Sequence, residues 1–204
     1  MRLEDKKLKH TATKRFSFDT SSSSKKLLWD DFLVGRDRVE TNQETLWEAV
    51  YDYGLIQKEY GEETLHQNVP GIFKFWPLLP VPAVEKVVSL GEGSTPLILA
   101  RHLPWQKEGQ RFYLKNEGIN PTGSFKDRYD CLTVNIAALL GYRRVVCAST
   151  GNHALSVAAY SAALGLSSKV IVSSSIAKPV LGALRTYGAD IEAVNPHERF
   201  KLLE

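Results

Sequence analysis

The chain has 204 residues, 43% of them apolar and 24% charged, with a net charge of +3. That is enough apolar chain to bury a core, which excludes a wholly disordered protein, and no apolar run approaches the roughly 20 residues that cross a bilayer as a helix. The positive excess is confined to one end, so the nearly neutral body does not read as a nucleic-acid binder.

In chain order, residues 1–26 hold eight Lys and Arg against three acids. Together with the stretch TSSSSKK they read as a flexible basic tail over residues 1–30, without the interleaved aromatic residues of a single-strand binder. An apolar signal region is absent, and Glu4 and Asp5 argue against a transit peptide, so the expected location is cytoplasmic, away from membranes. From Glu44 to Tyr60, Leu46, Val50 and Tyr53 recur at helical spacing before Gly61, which predicts one helix. The following VPGIFKFWPLLPVPAVEK carries four prolines that cannot continue a helix and predicts an extended segment packed on a larger body. Residues 31–110 thus read as a helical and extended lead-in.

From residue 111 the pattern becomes regular. RFYLKN, RRVVCAST, KVIVSS and DIEAV are apolar runs of strand length, separated by helical patterns over 126–140, 152–164 and 177–187. Strands alternating with helices predict an α/β domain over 111–204, a parallel sheet with helices on both faces. Gly141, Gly165 and Gly188 each follow a helical pattern, where a left-handed C-terminal cap is wanted. Cys131 and Cys147 lie in apolar segments without metal-ligand spacing and read as reduced core residues; no metal is expected.

Two strand-to-helix turns stand out, because ligands of open parallel sheets sit beyond the carboxyl ends of the strands. In NEGINPTGSFKDR, Pro121 and Gly123 shape a tight turn, and Ser124 with Asp127 has the spacing of a capping box, which places Lys126 in the first turn of a helix. A buried amine at the positive end of a helix dipole favours its neutral, nucleophilic form and suits imine formation with a carbonyl. The same position also suits a lysine that snorkels to solvent. In ASTGNHALSVAAYSAALG, Ser149, Thr150 and the N–H groups after Gly151 read either as an anion site for a carboxylate or as an ordinary capped turn. The alanines Ala158, Ala159, Ala162 and Ala163 permit close packing on the sheet.

Taken together, GIFKFWPLLP, SLGEGSTPLI, LKNEGINPTGSFKDR, STGNHALSVAAYSAALGL and LRTYGADIEAV resemble the pyridoxal-phosphate-dependent enzymes of fold type II, threonine synthase above all. The resemblance runs from Gly71 to Val194 with the motifs in family order. It implies pyridoxal 5'-phosphate as cofactor, Lys126 as the Schiff-base lysine that also moves protons, and Asn152 as the partner of the pyridine 3-oxygen. It implies further that Phe125 packs against the cofactor, that Ser149, Thr150 and Gly151 hold the carboxylate of a small amino-acid substrate, and that Thr95 of GEGSTP lies near the same cleft. The implied reaction turns O-phospho-L-homoserine and water into L-threonine and phosphate.

Relatives of this type continue well past residue 204, and their later half supplies a glycine-rich phosphate loop and a polar residue facing the pyridine nitrogen, neither of which is found here. The expectation is therefore an incomplete version of the fold: a truncated product, a half completed by a second chain, or a noncatalytic remnant serving as an interaction module. A homodimer is a further expected association. A threonine or serine ammonia-lyase, or a β-replacement enzyme, shares the two turns and is the alternative within the same fold.

Overall fold

The structure, a computed structural model, describes residues 16–20, 23–28, 47–60, 69–81 and 86–196. The chain divides into two compact units, residues 1–87 and 88–204.

In the first unit, β1 (Phe16–Thr20) is the central strand of an antiparallel sheet, between β2 (Ser23–Leu28) and β3 (Trp47–Tyr51). Two expectations are corrected here. Part of the stretch read as a flexible tail is strand, and the helix expected from Glu44 is strand over Trp47–Tyr51, followed by a shorter helix α1 (Tyr53–Tyr60). Trp47, Val50 and Tyr51 are residue types that favour strands, and the ladder with β1 gives this backbone its partners, which the local 3.6-residue spacing does not reveal. The helix begins where Asp52 caps it: its Oδ1 accepts the Leu55 N–H at 2.9 Å. Gly61, expected to end the helix, lies outside the described residues.

The proline-rich stretch is likewise not extended throughout. Gly71–Leu78 forms tight helical turns kinked at Phe75, with Ile72, Phe73 and Pro77 buried. Pro70, at φ −73°, and Pro77 set the ends and prevent a regular α-helix, but short 3₁₀ turns tolerate both. Tyr60 and Trp76 meet edge to face with ring centroids 5.0 Å apart.

The second unit starts earlier than the expected boundary at residue 111. Asn135 holds Val88 from both sides, accepting its N–H at 2.7 Å and donating to its carbonyl at 2.8 Å. The strand β4 (Leu97–Ala100) pairs antiparallel with β5 (Phe112–Lys115), so RFYLKN belongs to a two-stranded ribbon and not to the parallel sheet. Next come α2 (Lys126–Leu139), β6 (Arg144–Ala148), α3 (Asn152–Ala163), β7 (Ser167–Ser173), α4 (Lys178–Thr186) and β8 (Asp190–Val194). The strands β6, β7 and β8 form a parallel sheet in that order, the α/β architecture read from the sequence.

Each helix boundary follows from its glycine. Gly141, Gly165 and Gly188 have φ of 85°, 68° and 74°, and in each case the next residue's N–H bonds back to a carbonyl five residues earlier, as Tyr142 does to Ala137. In the parallel sheet Cys147, Val170 and Ile191 stand in register on one face. There they join Ala154, Val157 and Ala158 of α3 and Leu184 of α4 in the core. Burying each Val or Leu there contributes about 1.5–3 kcal/mol. Of the four alanines expected to pack, Ala158 and Ala159 are buried, whereas Ala162 and Ala163, in the last turn of α3, are exposed. The opposite face carries a half-exposed Val146 and an ion pair between Lys169 and Glu192 at 2.5 Å. Both cysteines are free and buried, and burial pushes the Cys147 thiol up to about 12 and Cys131 higher still.

Candidate functional site

The turn before α2 is built from side chains of its own sequence. Pro121 occupies the second position of a turn closed by the Gly123 N–H on the Asn120 carbonyl at 2.8 Å. The expected capping box takes another form. Ser124 Oγ accepts the Lys126 N–H at 3.2 Å, but the carboxylate of Asp127, fully buried, turns back to Thr122, accepting its N–H at 2.7 Å and its hydroxyl at 2.5 Å. A carboxylate in the first helical turn also complements the helix dipole.

Lys126 is the first residue of α2 and is half-buried, less enclosed than its sequence context suggests. Its Nζ lies 4.8 Å from the centre of the Phe125 ring, and that ring is 57% exposed. Among the described residues the ammonium makes no hydrogen bond or ion pair.

Asn152 is the first residue of α3, with an exposed side chain. The preceding Gly151 N–H points to Ser149 Oγ at 3.4 Å, and Ser149 and Thr150 are half-buried. Among the described residues no side chain caps the start of α3, and a Cβ placed on Gly151 would meet nothing within 4 Å. The result is an uncapped helix start beside open space.

The two turns are brought together by α2 and α3. Asp130, fully buried and one turn after Lys126, faces His153, whose Nδ1 is 2.9 Å from Oδ1 and 3.1 Å from Oδ2. Tyr129 tilts against the same imidazole, with ring centroids 6.2 Å apart. Because Lys126 and Asp130 share one face of α2 and His153 adjoins Asn152, the starts of the two helices are neighbours.

Thr95 is placed differently from the other predicted residues. It is buried, and its hydroxyl is engaged on both sides, donating to Glu117 Oε1 at 2.8 Å and accepting from Arg128 Nη2 at 3.1 Å. Arg128, two residues after Lys126, makes a forked pair with Glu117, Nε to Oε2 at 2.8 Å and Nη2 to Oε1 at 2.9 Å. Asn120 adds a bond from Nδ2 to Glu117 Oε2 at 2.8 Å. Held by these donors, Arg128 first, the Glu117 carboxyl is pulled down from 4.5 to about 2. Sequence reasoning missed Glu117, Arg128, Asn120, Asp130 and His153. The signal available was an acid and a base flanking a Pro-Gly turn that otherwise reads as buried.

A second missed group is the buried Glu92. It accepts from Ser89 Oγ at 3.0 Å, from the Leu90 N–H at 3.1 Å and from the Tyr160 hydroxyl at 2.8 Å, tying the GEGST loop to α3. Desolvation, and then the Glu92 charge, raises the Tyr160 hydroxyl far above its ordinary range. A concavity of about 480 Å³ lined by residues 101–104 and 106–110 includes none of the predicted site residues. Among the described residues, no group of three or more His, Cys, Asp or Glu gathers as metal ligands, and no helix is long and apolar enough to cross a membrane.

A threonine synthase from Methanocaldococcus jannaschii is 44% identical over 149 residues, covering 72% of this chain and 36% of that protein. One from Mycobacterium leprae is 42% identical over 132 residues, covering 64% and 36%. The chain therefore spans about a third of the length of the curated relatives it matches. Among solved structures, a cysteine synthase from Entamoeba histolytica superposes with a TM-score of 0.50 at 21% identity over 58% of this chain and 37% of that one, a likeness of fold. The profile of the family described as pyridoxal-phosphate dependent enzyme matches residues 88–203, and the chain belongs to that family, whose cofactor is pyridoxal 5'-phosphate.

Proposed function

We propose that the chain carries the lysine half of a threonine synthase site, for the conversion of O-phospho-L-homoserine and water to L-threonine and phosphate. The carrying observation is that the Asp130–His153 contact sets the starts of α2 and α3 side by side, Lys126 on one and Asn152 on the other. The donor set fits the cofactor. An amine without an ion partner among the described residues stands beside an exposed aromatic ring, and an exposed amide follows the open space at Gly151.

When bound, pyridoxal phosphate withdraws electrons from the substrate Cα. Lys126 would hold the cofactor aldehyde and then, once released, take and return protons at Cα and the next carbon. Asn152 would donate its amide to the pyridine 3-oxygen, and Phe125 would shield the ring edge from water. Ser149, Thr150 and Gly151, with the uncapped N–H groups of α3, would orient the substrate carboxylate. Thr95 would act near the cleft by shaping the loop that bears it, since its hydroxyl is committed to Glu117 and Arg128.

The test is phosphate and threonine release from O-phospho-L-homoserine in the presence of pyridoxal phosphate, with threonine and O-acetylserine as competing substrates. Turnover of O-phospho-L-homoserine that is lost in Lys126→Ala supports the proposal. Turnover of O-acetylserine or deamination of threonine in its place would move the assignment to a different reaction of the same fold.

A further inference from the structure

Side chains from the GEGST loop, from α2 and from the turn between them converge on one carboxylate. Glu117 receives Thr95 from the GEGST loop, Arg128 from the first turns of α2, and Asn120 from the turn between them. The Asn120 side chain passes the connection on, because its Oδ1 accepts the Gly93 N–H at 2.9 Å. The Lys115 ammonium closes the other side on the Thr95 carbonyl. Both partners of the Glu117–Arg128 pair are about one-quarter to one-third exposed, at 26% and 32%, so the fork is sheltered from full solvent screening.

The arrangement is more than a means of satisfying polar groups. A forked arginine pair fixes an orientation as well as a distance, and Arg128 lies two residues from Lys126 on the same helix. We propose that Glu117 is a positioning residue, which holds the Gly93–Thr95 loop at a set distance from the Lys126 amine and so places the substrate-facing side of the site. The part that concerns substrate rests on the threonine synthase reading; the tether between loop and helix does not.

The tether is tested in the full chain by amide hydrogen exchange, without cofactor. Glu117→Ala is expected to speed exchange across residues 91–96 by about tenfold or more, while β7 and α3 amides keep their rates as an internal measure of folding. Glu117→Gln, which keeps the shape and one acceptor oxygen but turns an amide NH2 toward the remaining donors, is expected to speed exchange less than Glu117→Ala does. Should Glu117→Ala fail to fold, Thr95→Ala cuts the same link from the loop side, and the same acceleration is expected. Unchanged exchange in residues 91–96 in a folded Glu117→Ala or Thr95→Ala chain overturns the proposal.

A second readout separates positioning from general support. With pyridoxal phosphate and borohydride, the cofactor mass fixed on Lys126 in Glu117→Ala should remain within about twofold of native, whereas the O-phospho-L-homoserine concentration that halves this fixation should rise about tenfold. Equal losses of fixation and of substrate protection would mean a structural role only and would also overturn the proposal. No fixation in the native chain would defeat the functional reading instead, and the exchange result would then decide the tether alone.

Discussion

The two strand-to-helix turns are built in opposite ways. Before α2, the polar side chains around Lys126 are engaged: Asn120 and Thr122 are bound to carboxylates, Ser124 takes the Lys126 N–H, and Arg128 grips Glu117. Before α3, the Gly151 N–H makes a long contact to Ser149 Oγ, and among the described residues no side chain caps the helix start. A braced turn presents a side chain at a fixed place; an open one presents backbone N–H groups to something from outside. Under the proposed function the first turn would present the reacting amine and the second would capture the ligand, and rigid support of a reactive group is what catalysis by orientation requires.

The largest expected effect comes from removing the brace. Asp127→Ala leaves the Thr122 N–H and hydroxyl without their charged acceptor in a buried site and should cost ~2–4 kcal/mol in urea unfolding. A loss below ~1 kcal/mol would show that the first turn is not braced as described. On the open side the expectation reverses. Gly151→Ala, with φ of −145° and no atom within 4 Å, should alter stability by less than ~0.5 kcal/mol yet weaken pyridoxal phosphate or substrate binding by roughly tenfold, as read by titration. Equal damage to stability would mean that the space belongs to the fold.

The charge on Glu117 sharpens the comparison through pH. Its folded-state value is lowered from 4.5 to about 2, so its contribution to stability is present above pH 4.5 and fades as pH falls toward 2. Glu117→Gln should therefore be less stable than native at pH 6, with the gap closing between pH 4.5 and 2 in parallel denaturation series. A gap independent of pH would assign the effect to shape and not to charge. The smallest effect belongs to Ala162→Lys: in the exposed last turn of α3 it should change the melting midpoint by no more than ~0.5 kcal/mol equivalent.

How much of this was legible in the sequence follows from the range of the interactions. The elements from β6 to β8 are local patterns ending in glycines that need positive φ, and their boundaries agree with the sequence to within one or two residues. The helix expected from Glu44 gave way to β3 because its partner β1 lies about thirty residues away, beyond any local periodicity. RFYLKN is a strand as expected, but its antiparallel pairing with β4 is tertiary information. That Lys126 and Asn152 begin helices was legible because helix starts leave a residue pattern, whereas the roles proposed for them come from the family resemblance. Glu117, Asp130 and Glu92 were not, because what makes each informative is a partner eleven, twenty-three or sixty-eight residues away.

The central claim is that the adjacent starts of α2 and α3 hold pyridoxal phosphate through Lys126. Incubation of the full chain with pyridoxal phosphate, reduction with borohydride and peptide mass mapping tests it directly, with Lys126→Ala alongside. One cofactor mass fixed on the peptide containing Lys126, and lost in the variant, is the expected result. Label scattered over surface lysines at the same level in both chains would contradict it.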